Sequence, residues 1–360
     1  MRRKSRRLPG YLQHKPTGQA RVRIDGRDHW LGIYGSEDSH DRYDELIAEC
    51  VDSVDIDATR ITISELLALF WRHAKKRYGG TGKGRYGAAV NWRPIIRRLR
   101  ERHSSNRPKE FGPRAFRELI ETLPAFGWSR QYANQQIGRV KQIFKWAVCQ
   151  ELIDVTVYQR LLTVEGVRYG ELDFRETEPV TPVEDQIVEA TIPFMPAHIA
   201  DMVRIQRLSG CRPDEVVTMR PGEFDRSGDI WIYAPRSHKT QHHGKTRRIA
   251  VGPRAQAVLV KYLLRDSDKY CFPTRRARCY STDSYRRAIH RACERRAQEQ
   301  SIELEKWSPN QLRHTLGTAV RAEFDAETAQ AVLGHAKLST TEIYAERSTQ
   351  KMLDAARRLG

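Results

Sequence analysis

The feature that most constrains this chain is a helical pattern across residues 61–151 that coincides with most of its excess positive charge. In the stretch 129–151, apolar residues recur at helical spacing and basic residues occupy the opposite face. The apolar positions are Ile137, Val140, Ile143, Phe144, Ala147 and Val148, and the basic ones are Arg139, Lys141 and Lys145. Residues 61–170 hold 21 Lys and Arg against 8 Asp and Glu, which is +13 of the total +18. A basic helical domain of this kind indicates a polyanion as partner.

The flanking segments have different patterns. Alternating residues on either side of Asp25-Gly26 predict a β-hairpin, and a helix is expected from about Asp38 to Cys50. Beyond Pro182, helices are expected at 183–190, 196–208 and 213–220, followed by strands at 230–233 and 246–251. The predicted fold is therefore mainly α with small β-sheets: a β-rich N-terminal module, an α-helical core domain and a mixed α/β domain.

The changes in pattern divide the chain into five predicted segments. They are a basic tail with a β-rich module (1–60), a helical domain (61–165), a linker (166–182), a mixed α/β domain (183–347) and a tail helix (348–360). Within the helical domain, four helices are expected, and Ser64 is the predicted N-cap of the first.

Several classes of protein are excluded by composition. The apolar runs are too short to cross a bilayer, and the basic N-terminus is not followed by the apolar stretch of a secretory signal. The six cysteines form no CxxC pair, so we expect neither a disulfide framework nor a zinc knuckle, and a cytoplasmic location. The glycine-rich stretch 79–84 lacks the spacing of a phosphate-binding loop. We expect no cofactor and no metal.

Three stretches near the C-terminus contain candidate functional residues. In the first, Gly210 ends one helix and Pro213 begins the next, which places Arg212 beside a helix start. In the second, Ser308 and Pro309 begin a helix on which Asn310 and Arg313 share a face, three residues apart. The third contains Leu333-Gly334-His335 and then a helix capped by Ser339 and Glu342, with Tyr344 one turn in.

Together these stretches resemble the tyrosine recombinase (phage integrase) family. The resemblance is carried by Arg212 after Ser-Gly-Cys, by Leu-Arg-His-Thr, by Leu-Gly-His, and by Ser-Thr-Thr-x-x-Tyr nine residues after that histidine. It covers residues 180–345 closely and the preceding domains more loosely. It implies that residues 1–60 bind arm-type DNA sites, that residues 61–165 bind the core site, and that residues 183–347 are catalytic.

The resemblance also implies roles for six residues. Arg212 and Arg313 would clamp the scissile phosphate, His335 would donate a hydrogen bond to it, and Tyr344 would be the nucleophile. Lys239 would protonate the leaving oxygen, with Lys245 as the alternative. The family usually has histidine where this chain has Asn310, whose amide can hydrogen-bond a phosphate oxygen but cannot act as a general base.

The function implied is site-specific DNA recombination, for integration or excision, through a 3′-phosphotyrosyl intermediate. The expected partners are double-stranded DNA, three further copies of the chain in a homotetramer on that DNA, and accessory DNA-bending proteins. Two alternatives stay open at this point: a type IB topoisomerase, which uses the same chemistry, and a catalytically inactive DNA-binding protein, with Asn310 as the first sign of decay.

Overall fold

The computed structural model describes residues 9–24, 26–52, 61–79, 87–237 and 247–334. The chain divides into two compact units, residues 1–178 and 179–360. Within the described ranges, no helix is both long enough and apolar enough to cross a membrane.

The first unit begins with a three-stranded antiparallel sheet followed by a helix. Its elements are β1 (Leu12–His14), β2 (Gln19–Ile24), β3 (Arg27–Ile33) and α1 (Glu37–Asp52). The predicted hairpin is thus present between β2 and β3, and Gly26 has a φ of +81° in its turn. Ala20, Val22 and Leu31 form the buried face of the sheet against α1.

Helices make up the rest of this unit. They are α2 (Ile63–Tyr78), α3 (Arg93–His103), α4 (Pro113–Glu121), α5 (Arg130–Cys149) and α6 (Val155–Leu162), with a 3₁₀ helix at Gly87–Trp92. The predicted apolar stripe of α5 lies in their shared core, with Val140, Ile143 and Phe144 fully buried. The predicted Ser64 cap is wrong, because Thr62 caps α2 through a reciprocal pair of hydrogen bonds with Glu65.

Residues 164–174 also join the helical core. Val164, Val167 and Phe174 are buried there, and Asn134 on α5 holds the segment by hydrogen bonds to the backbone of Val167. These apolar residues follow no helical or strand period, so the sequence pattern did not reveal their burial.

The sheet module packs against the helical part of the same unit through both apolar and charged contacts. Ala68 of α2 belongs to the apolar cluster of the module. Asp41 of α1 pairs with Arg93 at 2.5 Å, and Asp44 pairs with the largely buried Arg100 of α3. The described module therefore shares an interface with α2 and α3.

The second unit surrounds a small antiparallel sheet with helices. Its strands are β4 (Phe224–Asp225), β5 (Trp231–Tyr233) and β6 (Ile249–Val251), and its helices are α7 (Asp185–Thr191), α8 (Ala197–Ser209), α9 (Pro213–Val217), α10 (Pro253–Leu259), α11 (Thr282–Gln300), α12 (Pro309–Glu323) and α13 (Ala326–Leu333). Its core contains residues from α8, β5, β6, α11 and the start of α12. The predicted fold class, mainly α with small sheets, is confirmed.

Candidate active site

Arg212 lies at the N-cap position of α9, as the Pro213 signal predicted. Its backbone N–H donates to Glu215 Oε2 at 2.6 Å, and its Nη1 donates to Glu215 Oε1 at 2.9 Å. The side chain is 18% exposed. Glu215 therefore fixes the arginine while part of its side chain still faces solvent.

Glu215 is fully buried and contacts a second arginine. Arg247, which lies two residues before the first residue of β6, donates from Nε to the same Oε1 atom at 3.2 Å. Burial alone would raise the pKa of Glu215, but the charges of Arg247 and Arg212 and the Arg212 backbone N–H lower it below its ordinary value. The carboxylate is thus held in its ionised form between two cations.

Arg313 connects two turns of the chain. It is 3% exposed on α12, and it donates hydrogen bonds from Nη1 to the carbonyl of Gly210 and from Nη2 to the carbonyl of Leu333. Gly210 precedes Arg212 by two residues, and Leu333 precedes His335 by two. One guanidinium therefore joins the three stretches that the sequence singled out.

Both of these turns favour glycine. Gly210 ends α8 with a φ of +65°, and Gly334 ends α13 with a φ of +61°. A Cβ atom on Gly210 would lie 2.8 Å from Leu316, and one on Gly334 would lie 2.0 Å from Arg247 Nη1. A larger residue would be strained at either φ and would displace the Leu316 or Arg247 side chain.

Asn310 is the second residue of α12 and is exposed. The helix begins as predicted, with the Ser308 backbone N–H donating to Gln311 Oε1 at 2.9 Å. Gln206 of α8 donates to the Pro309 carbonyl at 3.0 Å, so the start of α12 is attached to α8. Asn310 therefore lies at the start of a helix that is attached to α8, and α8 ends shortly before Arg212.

Four of the predicted or alternative site residues lie outside the described residues: Lys239, Lys245, His335 and Tyr344. The same holds for the tail segment 348–360. Within the described ranges, no group of three metal-ligating side chains is close enough to hold a metal ion.

Two other ionisable side chains near the arginines, Cys211 and His314, have pKa values shifted towards their uncharged forms. Burial, with a further contribution from the Glu215 charge, raises the pKa of the Cys211 thiol to about 12. Burial and then the Arg313 charge lower the pKa of His314, which favours the neutral imidazole. These pKa shifts favour the uncharged form of both side chains, so neither adds a charge beside the arginines.

Sequence reasoning missed Arg247. It is 7% exposed and shares a face with the buried Ile249 and Val251, whereas Arg248 is exposed. The signal was present, since a strand places residues i, i+2 and i+4 on one side. An arginine in phase with two core positions is a candidate for a buried polar contact.

Comparison with known proteins finds a family match within the second unit. The sequence model of the Phage integrase family matches residues 183–351. The tyrosine recombinase XerC of Erythrobacter litoralis (strain HTCC2594) is 29% identical over 189 residues, which are 52% of this chain. The matched region spans 56% of that relative's length.

Two solved structures are similar to this chain in fold. Residues 82–397 of the Tn1549 transposon integrase, in complex with circular intermediate DNA, match with a TM-score of 0.62 at 18% identity, covering 82% of this chain and 99% of that one. A lambda integrase dimer bound to a COC′ core site matches with a TM-score of 0.60 at 14% identity, covering 97% of each chain. At these identities the matches establish a shared fold.

Proposed function

Through residues 183–351 this chain belongs to the phage integrase family of tyrosine recombinases, and from that membership we propose that it is a site-specific DNA recombinase. It cuts one DNA strand, holds the end as a 3′-phosphotyrosine and transfers it to a 5′-hydroxyl of another duplex. Its place is on DNA, and it uses neither a metal ion nor a nucleotide.

The observation that carries this proposal is the double attachment of Arg313. Its guanidinium bonds the turn that leads into Arg212 and the turn that leads into His335. Three motifs spread over more than 120 residues of sequence therefore converge on one side chain. A purely structural role for Arg313 would not explain why each of the three motifs also contains a residue that can bind or attack a phosphate.

The proposed reaction needs no external energy source. The Tyr344 hydroxyl oxygen bonds to phosphorus and releases its proton to water, and the bond from phosphorus to the 5′ oxygen breaks. Lys239 gives that oxygen a proton, while Arg212 and Arg313 stabilise the charge that develops on the non-bridging oxygens. A 5′-hydroxyl then reverses these steps, so the covalent intermediate conserves the bond energy.

The same family membership supports the assignment of the other segments. Residues 61–165 would bind the core site, and residues 1–60 would bind an arm-type site through the sheet that carries Arg21, Arg23 and Arg27. Strand exchange between two duplexes needs four active sites, so we propose a homotetramer on DNA, assisted by DNA-bending proteins.

Trapping on a suicide DNA substrate tests the function directly. A nick close to the cleavage site lets the short 5′-hydroxyl fragment diffuse away, so an active enzyme accumulates as a covalent adduct. We expect the adduct with wild-type protein, and recombinant products when two intact sites are supplied. Failure to form any adduct would identify a DNA-binding protein, and relaxation of supercoils without synapsis would identify a topoisomerase.

The exposed Asn310 is expected to donate a hydrogen bond to the scissile phosphate. Asn310→Ala should slow cleavage by about 10²–10³-fold, the usual effect of losing one oxyanion donor. Asn310→His should keep most of the rate, because imidazole can also donate there. The rate of adduct formation measures both variants, and an unchanged rate in the alanine variant would remove Asn310 from the site.

The charge of the helical domain predicts steeply salt-dependent DNA binding. Each phosphate contact contributes a slope of about −0.9 in a plot of log K against log salt. Lys145 is exposed on α5. Lys145→Gln should make the slope less steep by about 0.9, the contribution of one phosphate contact. Lys261, which pairs with Asp201 in the second unit, is the control whose Gln variant should leave the slope unchanged. Binding that ignores salt would contradict this assignment.

The tail is expected to couple neighbouring protomers. Met352, Ala355, Ala356 and Leu359 share one face of the helix predicted there, and such a stripe must be buried. Deleting residues 348–360 should leave binding to a single site largely intact while weakening synaptic complexes, as measured by native gel electrophoresis. Tetrameric synapsis and recombination at the full-length rate would show that the tail packs on its own protomer or has no role.

A further inference from the structure

Arg247 occupies a junction between segments of the candidate site. It is the first residue described after the segment that contains Lys239 and Lys245. Its Nε atom bonds Glu215, which in turn holds Arg212. Its Nη1 atom lies so close to Gly334 that a Cβ there would be 2.0 Å away.

The environment of Arg247 is energetically unfavourable for a charged side chain. The side chain is 5% exposed, and its Nη2 atom is buried without a hydrogen-bond partner in the described part of the chain. A buried, incompletely satisfied guanidinium destabilises a fold relative to an apolar side chain of similar size. Arg247 is therefore a poor choice for stability alone.

We propose that Arg247 is a positioning residue, which sets the location of Arg212 relative to the turn that ends α13 at Gly334. It does so by bonding Glu215, which holds Arg212, and by packing against Gly334. This inference rests on the proposed function and adds to it a residue that does not itself touch DNA.

The test compares cleavage by Arg247→Lys with cleavage by the wild type on a suicide substrate. Lysine keeps the charge and can reach Glu215, but its single head cannot also fill the space against Gly334. We expect adduct formation at saturating DNA to slow by about 10- to 100-fold, a typical cost of small misplacement. The dissociation constant for DNA and the thermal unfolding midpoint should change little. Arg248→Lys, at the exposed neighbour, is the matched control and should cleave at the wild-type rate.

A double-mutant cycle with Gly334→Ala makes the test independent of folding losses. Gly334→Ala alone retains every charge, and it should slow cleavage because its methyl group meets Arg247. The cost of its positive φ occurs in both backgrounds and cancels in the cycle. We expect the alanine to cost at least about threefold less in the Arg247→Lys background than in the wild type, as is usual for residues in contact.

The outcomes separate this inference from the proposed function. If the wild type forms no adduct, the proposed function fails. If the wild type forms adduct and Arg247→Lys cleaves equally fast, or if the two substitutions act additively, Arg247 has no positioning role although the enzyme assignment holds. Slower cleavage by Arg247→Lys with unchanged binding, together with the reduced cost of Gly334→Ala, supports the proposal.

Discussion

Replacing Tyr344 with phenylalanine is expected to abolish covalent protein–DNA adducts while leaving DNA affinity nearly unchanged. The substitution removes one oxygen atom, which is the atom that bonds to phosphorus in the proposed reaction. Without it no other step can store the bond energy, so the loss should be complete rather than partial. Suicide-substrate trapping measures the chemistry, and a gel-shift titration of the same DNA measures the binding.

Two other tyrosines serve as controls for this prediction. Tyr285 of α11 is fully buried, and burial raises the pKa of its phenol well above the ordinary value. Tyr280 is hydrogen-bonded to His198 at 2.8 Å. Neither environment favours attack on a phosphate, so Tyr280→Phe and Tyr285→Phe should both retain adduct formation. If the Tyr344→Phe protein still forms an adduct, the nucleophile is a residue other than Tyr344.

Arg313→Lys is expected to be the most damaging substitution among the described residues. Lysine cannot span the carbonyl groups of Gly210 and Leu333 as the guanidinium does, so at least one buried carbonyl loses its partner. The lost hydrogen bond to a charged group should lower the free energy of unfolding by about 1.5–3 kcal/mol. Cleavage should fall by about 10²–10³-fold or more, since the turns before Arg212 and His335 lose their common anchor.

Urea denaturation and adduct trapping check the two halves of this prediction separately. Arg321→Lys, in the last turn of the same helix, is the matched control and should be close to wild type in both measurements. A variant at position 313 that is destabilised but cleaves normally once folded would limit Arg313 to a structural role. One that cleaves normally and is fully stable would contradict both expectations.

Local signals in the sequence predicted much of this architecture. Asp25-Gly26 predicted the hairpin, Ser308-Pro309 predicted the start of α12, and the glycines at 210 and 334 predicted two helix ends. Each of these depends on the conformational preference of one or two residues. Such preferences act over a few bonds and can be read from neighbours in the sequence.

Features that depend on distant residues were not predicted. The burial of Val167 and Phe174 depends on their packing against helices that come earlier in the chain. Similarly, the interface that joins the sheet module to α2 and α3 depends on pairs such as Asp44 and Arg100, which are 56 residues apart. At the candidate site, the motif predicted that Arg212 and Arg313 belong together. Strand alternation could indicate that Arg247 is buried, but not that its partner is Glu215, which lies 32 residues away.

The two carbonyl groups that bind Arg313 belong to the C-terminal ends of α8 and α13. Each helix end carries roughly half a unit of negative charge from its aligned peptide dipoles, so together they supply roughly one unit to the guanidinium. These partial charges are fixed in the backbone and buried, and dissolved ions screen them far less than they screen a surface charge. Raising the salt concentration should therefore release the DNA while the internal frame of the site persists, so that catalytic competence returns as soon as the salt is diluted.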